Sequence, residues 1–170
     1  MIAPSSGPAG ALVPRRPAES FTEMVQVVLP NDANPLGFIL GGTVMHLIDI
    51  AGAIACHRHT RSLLVTAAVD GLQFLHPIKV GDLIILRAQV TAAFTTSLEV
   101  EVEVFSEGTL TGERKLTSRA YLTFVAIDET GGKVRIPPLR VESDRDRERA
   151  REAEARRAAR LAAKRRFTSV

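Results

Sequence analysis

Residues 34–59, NPLGFILGGTVMHLIDIAGAIACHRH, decide the fold. From Thr43 to His59 the chain lacks proline, and large apolar side chains fall all round a helical wheel: Val44, Met45, Leu47, Ile48, Ile50 and Ile54. A helix that is apolar on every side is a buried one. At 1.5 Å per residue it spans about 25 Å, and it is too closely flanked by charge to cross a membrane. Gly42 or Thr43 stands where a cap is needed. His57, Arg58 and His59 suit the negative end of the helix dipole. Asp49 is out of character, lying between Ile48 and Ile50 where an unpaired carboxylate is costly to bury. Desolvation favours proton uptake by a carboxylate, which suits a general base. An aspartate satisfied by backbone donors or by His46 is the equally simple structural reading.

The segment before the helix tilts that balance. Gly41-Gly42 at a helix start lets backbone N–H groups approach a ligand in the positive field of the terminus. Such donors can stabilise the oxyanion formed when water attacks a carbonyl. Asn34 is a turn former by type, and its amide can also orient a water or a carbonyl.

Around this stretch the pattern is one of strands. Phe21 to Leu29 is rich in β-branched residues and stops at Pro30-Asn31-Asp32. Leu63 to Leu75 carries Val65, Ala67 and Val69, then Leu72 and Phe74; the change of parity at Asp70-Gly71 predicts a bulge. Leu83–Phe94 alternates, as does Ser97–Glu107, where Leu98, Val100, Val102 and Val104 oppose Glu99, Glu101 and Glu103. The glutamate face of that strand is expected to be wet. Arg114 to Ile127 is the last strand. One helix beside five antiparallel strands predicts an α+β wrap. A lone sheet of this size has open edges, and a second copy joined edge to edge would close one of them.

The chain has 170 residues, enough for one domain with a sizeable core. Its net charge of +3 is unevenly spread. Residues 21–139 hold 9 Lys and Arg against 12 Asp and Glu, whereas residues 140–170 hold 11 against 6. The basic balance thus belongs to a tail, which argues against nucleic-acid binding by the globular part. The tail, DRDRERAREAEARRAARLAAKRRF, has high helix propensity but Leu161 is nearly its only large aliphatic. It is expected to be an exposed or frayed helix, or disordered, and residues 1–19 a disordered leader. The single cysteine, Cys56, excludes a disulfide framework and a Cys-rich zinc site, and fits a reducing cytoplasm. No signal peptide or membrane span is expected. His57 and His59 point apart on a helix, so no metal site is expected. The motifs of serine hydrolases, P-loops and dinucleotide folds do not occur.

The stretch at 34–59, with VTAAVDGLQFLHPIKVGD, TTSLEVEVEVF and LTGERKLTSRAYLTFVAID downstream, resembles the hot-dog acyl-CoA thioesterases of the YciA-like and brain acyl-CoA hydrolase type. The likeness covers roughly residues 20–140. It implies a hot-dog fold, with a sheet of about five strands wrapped around one long helix, and homo-oligomers, dimeric at least and commonly trimers of dimers. It implies that Asp49 and Asn34 are the catalytic pair, facing one another across a dimer interface. Gly41 and Gly42 would supply oxyanion N–H groups, and Arg58, His59, Lys79 and Ser97 would contact the substrate, acyl-CoA. No cofactor or metal is implied. The family often has a polar residue where this chain has Gly71 and an aromatic where it has Leu47. A hot-dog hydratase or dehydratase using His46, and a non-catalytic acyl-CoA-binding module, are the competing functions.

Overall fold

The computed structural model describes residues 12–167, with side chains described as far as residue 164. After a 3-10 turn at Pro17–Ser20 come β1 (Thr22–Val27), a second 3-10 turn (Pro30–Asp32), α1 (Gly41–Thr60), β2 (Leu63–Phe74), β3 (Leu83–Ala93), β4 (Ser97–Glu107), β5 (Arg114–Ile127) and α2 (Asp144–Phe167). The five strands form one sheet in the order β1-β3-β4-β5-β2, antiparallel throughout. This is the hot-dog arrangement, with α1 against the inner face of the sheet. The inward residues of β3, β4 and β5 (Leu86, Val90, Val100, Leu122 and Phe124 among them) meet Val44, Ile48, Ala51 and Ala55 of α1 in one core. Gly52 makes the contact close. A Cβ there would lie 3.2 Å from Val100 Cγ1 and 3.3 Å from Phe124 Cε2, so a side chain would force these neighbours to give by a few tenths of an ångström.

α1 is not buried on all sides, as its composition suggests. Gly42, Met45 and His46 are exposed and Asp49 is half-buried, forming an open stripe beside the edge strand β2. The helix is apolar all round because two surfaces need covering and the single chain covers one. The cap also differs from expectation. Leu40, extended at φ −66° and ψ 135°, holds the N-cap position with no side-chain bond, and the helix starts at Gly41.

β2 is bent twice. The expected break at Asp70-Gly71 is present, between Asp70 and Gln73, with Gly71 at φ +64°. The other, between Thr66 and Ala68, was not foreseen. It breaks the supposed alternation of Val65, Ala67 and Val69: Thr66 pairs with the inward Phe124, Ala68 with the outward Thr123, and Val69 with the inward Leu122.

The glutamate face of β4 is not wet. α2 lies across it and turns three arginines, spaced to share one helix face, onto carboxylates of the sheet. Arg149 Nη2 is 2.9 Å from Glu101 Oε2, Arg156 grips Glu99 through Nη2 (2.8 Å) and Nε (3.0 Å), and Arg160 pairs with Asp70. The Arg156 guanidinium also lies 3.6 Å from the centroid of the Tyr121 ring, and Arg157 4.4 Å from that of Phe94. Glu99 is 1% exposed and Ala153, at the middle of the contact, 0%. The expected helix forms and most of its residues are exposed, but it docks on the sheet instead of fraying, a contact that counting aliphatic side chains alone does not reveal. The grip here is ionic.

The described part of the expected disordered leader is also tied down. The Arg15 N–H donates to the Pro138 carbonyl at 3.0 Å, and its own carbonyl accepts from Arg140 N–H at 2.8 Å. Under this clasp sits His59, with Nε2 2.9 Å from the Pro137 carbonyl and Nδ1 buried without a partner among the described residues. Burial pushes the His59 pKa below its ordinary value, against a smaller opposing effect of the Pro137 carbonyl. The unfolded chain therefore takes up this proton first, near pH 6.5. The stabilising contribution is fully present above that value and is lost as pH falls toward the folded pKa. Thermal melts between pH 7.5 and 5 should show the midpoint dropping with acid, and a His59→Phe variant should show a shallower drop. Equal slopes would remove the imidazole from this account.

Candidate active site

The turn between β1 and α1 shapes one side of the site. Asn34 Oδ1 accepts the N–H groups of Leu36 (3.0 Å) and Phe38 (3.2 Å), and the Asn34 N–H bonds to the Phe38 carbonyl at 2.8 Å. Asn34 is thus a turn former after all, but only through its oxygen. Its Nδ2 has no partner among the described residues and is left to donate elsewhere. The half-buried side chain lines a cavity of about 270 Å³ with Phe38, Ile39, Gly41, Val44, Phe74 and Ser118, among others.

At the adjoining helix start, the first helical bond runs from the Val44 N–H to the Leu40 carbonyl at 3.1 Å. The N–H groups of Gly41, Gly42 and Thr43 precede it and have no intrahelical acceptor. Gly41 backs onto Phe74, whose ring atom Cζ would be 3.5 Å from a Cβ, whereas nothing lies within 4 Å of a Cβ at Gly42. The Gly42 peptide can therefore be approached closely.

Asp49 stands two turns along the same open stripe. Its Oδ1 accepts a hydrogen bond from Thr66 Oγ1 at 2.7 Å, and its Oδ2 has no partner among the described residues. The carboxylate is held by one oxygen and open at the other. Thr66 is a residue that sequence reasoning missed. The signal was a polar residue in an apolar strand, but its facing depends on the first bulge of β2. His46 is exposed, and no bond joins it to Asp49 among the described residues.

The four expected substrate-contacting residues are not gathered in one place. His59 is fully buried beneath Pro137, so it cannot meet a ligand, and that expectation is corrected. Arg58 spends its guanidinium on the Phe21 carbonyl and on Thr22 Oγ1 (3.1 Å). Ser97 opens β4, opposite Val125; the Asn34 cavity is at the other end of that strand, where Val104 faces Ser118, roughly 23 Å away at 3.3 Å per residue. Lys79 is exposed beside the cavity: its neighbour Pro77 lines it, and Lys79 itself bridges to Phe38. Leu47 belongs to the core, and Gly71 to the kink of β2; neither lines the cavity. Among the described residues, no group of His, Cys, Asp and Glu has a metal-holding arrangement, and no helix is long and apolar enough to cross a membrane.

Comparison with known proteins agrees with this geometry. The Thioesterase superfamily model matches residues 36–113. A hexameric acyl-CoA thioesterase superposes with a TM-score of 0.85 at 36% identity, over 89% of this chain and 97% of that one. An acyl-CoA hydrolase of Staphylococcus aureus, solved with butyryl coenzyme A, gives 0.81 at 32% identity over 91% and 97%. That hydrolase has also been solved with alanine in place of an asparagine, of an aspartate fifteen residues later, or of a threonine seventeen residues beyond the aspartate. The same spacings separate Asn34, Asp49 and Thr66. In sequence, the uncharacterized acyl-CoA thioester hydrolase YkhA of Bacillus subtilis is 38% identical over 128 residues, which is 75% of this chain and 74% of that protein. At that identity over that share of both sequences, the chain belongs to the acyl-CoA thioester hydrolases.

Proposed function

We propose that the chain hydrolyses the thioester of acyl-CoA at a site completed by a second copy of itself. The observation that carries this reading is the open stripe of α1. Gly42 and Asp49 are seven residues apart, on one face, and about 10 Å apart along the axis. That is too far for Asp49 to act on a carbonyl held at its own helix start. A copy related by a two-fold axis, with its α1 antiparallel, brings each Asp49 to the other helix start. It also covers Met45 and exposed apolar side chains of β2, which are 44–52% exposed at Leu63, Val65 and Val69.

In the proposed reaction the N–H groups of the partner subunit's Gly41 and the partner subunit's Gly42 bind the carbonyl oxygen and stabilise the charge that develops on it. Asp49, held by Thr66, activates water through its free oxygen or attacks the carbonyl carbon itself. The partner subunit's Asn34 donates through Nδ2 to the water or carbonyl. Coenzyme A leaves as the thiol and the acyl group as the free acid. Lys79, at the rim, is placed for a coenzyme phosphate. Carboxylate, amide and backbone donors complete the reaction without cofactor or metal. Hexamers of the structural relatives support a trimer of such dimers. The reading also puts the enzyme in the cytoplasm, where Cys56, buried in α1, remains a thiol.

Subunit mixing tests the shared site. Asn34→Ala and Asp49→Asn chains should each be inactive alone. In a mixed dimer one of the two sites has both native residues. Equal mixing and random re-pairing should restore about a quarter of wild-type thiol release from an acyl-CoA. No recovery from a mixture shown to contain heterodimers would confine the pair to one chain.

A further inference from the structure

We propose that the cavity beside Gly41 selects short acyl groups bearing an oxygen on the chain, such as 3-hydroxyacyl or 3-oxoacyl groups, and that Ser118 reads that oxygen. The inference rests on the thioesterase reading above.

Ser118 faces inward from β5, between Phe74 of β2 and Val104 of β4. It is 1% exposed, and the little surface it keeps opens onto the cavity. Its hydroxyl has no hydrogen-bond partner among the described residues. The buried hydroxyls of Ser20, Thr22, Thr60, Thr91 and Thr117 donate to backbone carbonyls, and Thr123 Oγ1, which is also buried without a partner among the described residues, does not line this cavity. A hydroxyl left unpaired in an apolar wall is destabilising unless something entering the cavity pairs with it.

The surroundings define that entrant. Phe38, Ile39, Val44, Phe74 and Ile78 make an apolar lining, so the body of the ligand is hydrocarbon. Gly41, at the rim, carries one of the proposed oxyanion N–H groups, so the ligand hangs from the thioester carbonyl. Asn34 Oδ1 is occupied within its own turn, its Nδ2 is assigned to the water or carbonyl, and His76 in the lining is exposed, leaving Ser118 as the buried group that can both donate and accept. The volume of about 270 Å³ equals roughly nine waters at ~30 Å³ each. That suits a chain of a few carbons rather than a long fatty acid. A plain acyl chain would displace water from Ser118 and leave the hydroxyl unpaired, whereas an oxygen on the chain would replace that water bond.

The test compares kcat/KM for butyryl-CoA and 3-hydroxybutyryl-CoA, by thiol release, in wild type, Ser118→Ala and Ser118→Thr. Wild type should favour the hydroxylated ester by about three- to tenfold, the range of one neutral hydrogen bond. Ser118→Ala should bring the ratio near one, mainly by improving butyryl-CoA hydrolysis, and Ser118→Thr should keep the preference. A wild-type ratio near one with both esters hydrolysed, or a ratio unmoved in Ser118→Ala, overturns the proposal. Failure of wild type to release thiol from either ester sinks the thioesterase reading beneath it.

Discussion

Asp49→Asn should lower kcat for acyl-CoA hydrolysis by at least about 100-fold, the low end for removal of a general base. The amide fills the same volume, and its Oδ1 can still accept the 2.7 Å bond from Thr66. The fold and the subunit interface should therefore survive. What is lost is the negative charge on the open oxygen. KM should change little, because the proposed reaction binds the carbonyl through the Gly41 and Gly42 peptides and not through the carboxylate. Steady-state kinetics on the purified oligomer, with its size checked in solution, measures both. Undiminished turnover would remove Asp49 from the reaction and favour a module that binds acyl-CoA without cleaving it. A hydratase acting through His46 would instead show unchanged enoyl-CoA hydration.

Arg156→Ala should destabilise the fold by about 3 kcal/mol, the lower end for breaking a buried ion pair from one side. The lower end applies because the Arg156 side chain is 23% exposed while Glu99 is 1% exposed. The truncation strands the Glu99 carboxylate with only the Thr91 hydroxyl, 2.8 Å from Oε1. At 2–4 °C per kcal/mol for a chain of this size, the melting midpoint should fall by about 10 °C. The double variant Glu99→Leu with Arg156→Leu should recover most of the loss, since an apolar pair of similar volume needs no partner charge. Denaturation of the three proteins separates the cost of an orphaned charge from loss of contact area. A single variant as stable as wild type would mean that the Arg156–Glu99 pair contributes nothing to the folded state.

The bounds of the strands and helices were largely legible in the sequence. Ser97–Glu107 and Arg114–Ile127 were placed to the residue because alternation marks a strand with one face in the core, although β5 carries one extra residue, Thr117, where Val104 faces Ser118 and Phe105 faces Leu116. β2 was harder. As an edge strand it meets α1 and stands open to a second copy, so apolar residues occur on both faces and the bulge before Ala68 leaves no trace in composition. The docking of α2 was invisible to a reading based on apolar stripes, because Arg149, Arg156 and Arg160 take the places where leucines would normally stand. Asp49 and the two glycines stood out because each breaks a local rule, a carboxylate in an apolar helix and paired glycines where a cap belongs, whereas Asn34 is an ordinary turn former singled out by the family resemblance. His59 misled because a terminal histidine on a helix looks solvated until Pro137 folds over it.

The ionic seating of α2 has a calorimetric consequence. Exposing apolar surface raises heat capacity, while exposing polar surface lowers it. Lifting this helix would bare arginines, glutamates, two aromatic rings and the methyl of Ala153, a mixture whose two contributions largely cancel. Detachment should therefore pass through a scanning calorimeter with almost no baseline step, whereas melting of α1 from the sheet carries a large one. Heating also makes charged groups easier to dehydrate, so α2 should keep its seat at temperatures where aliphatic packing no longer gains.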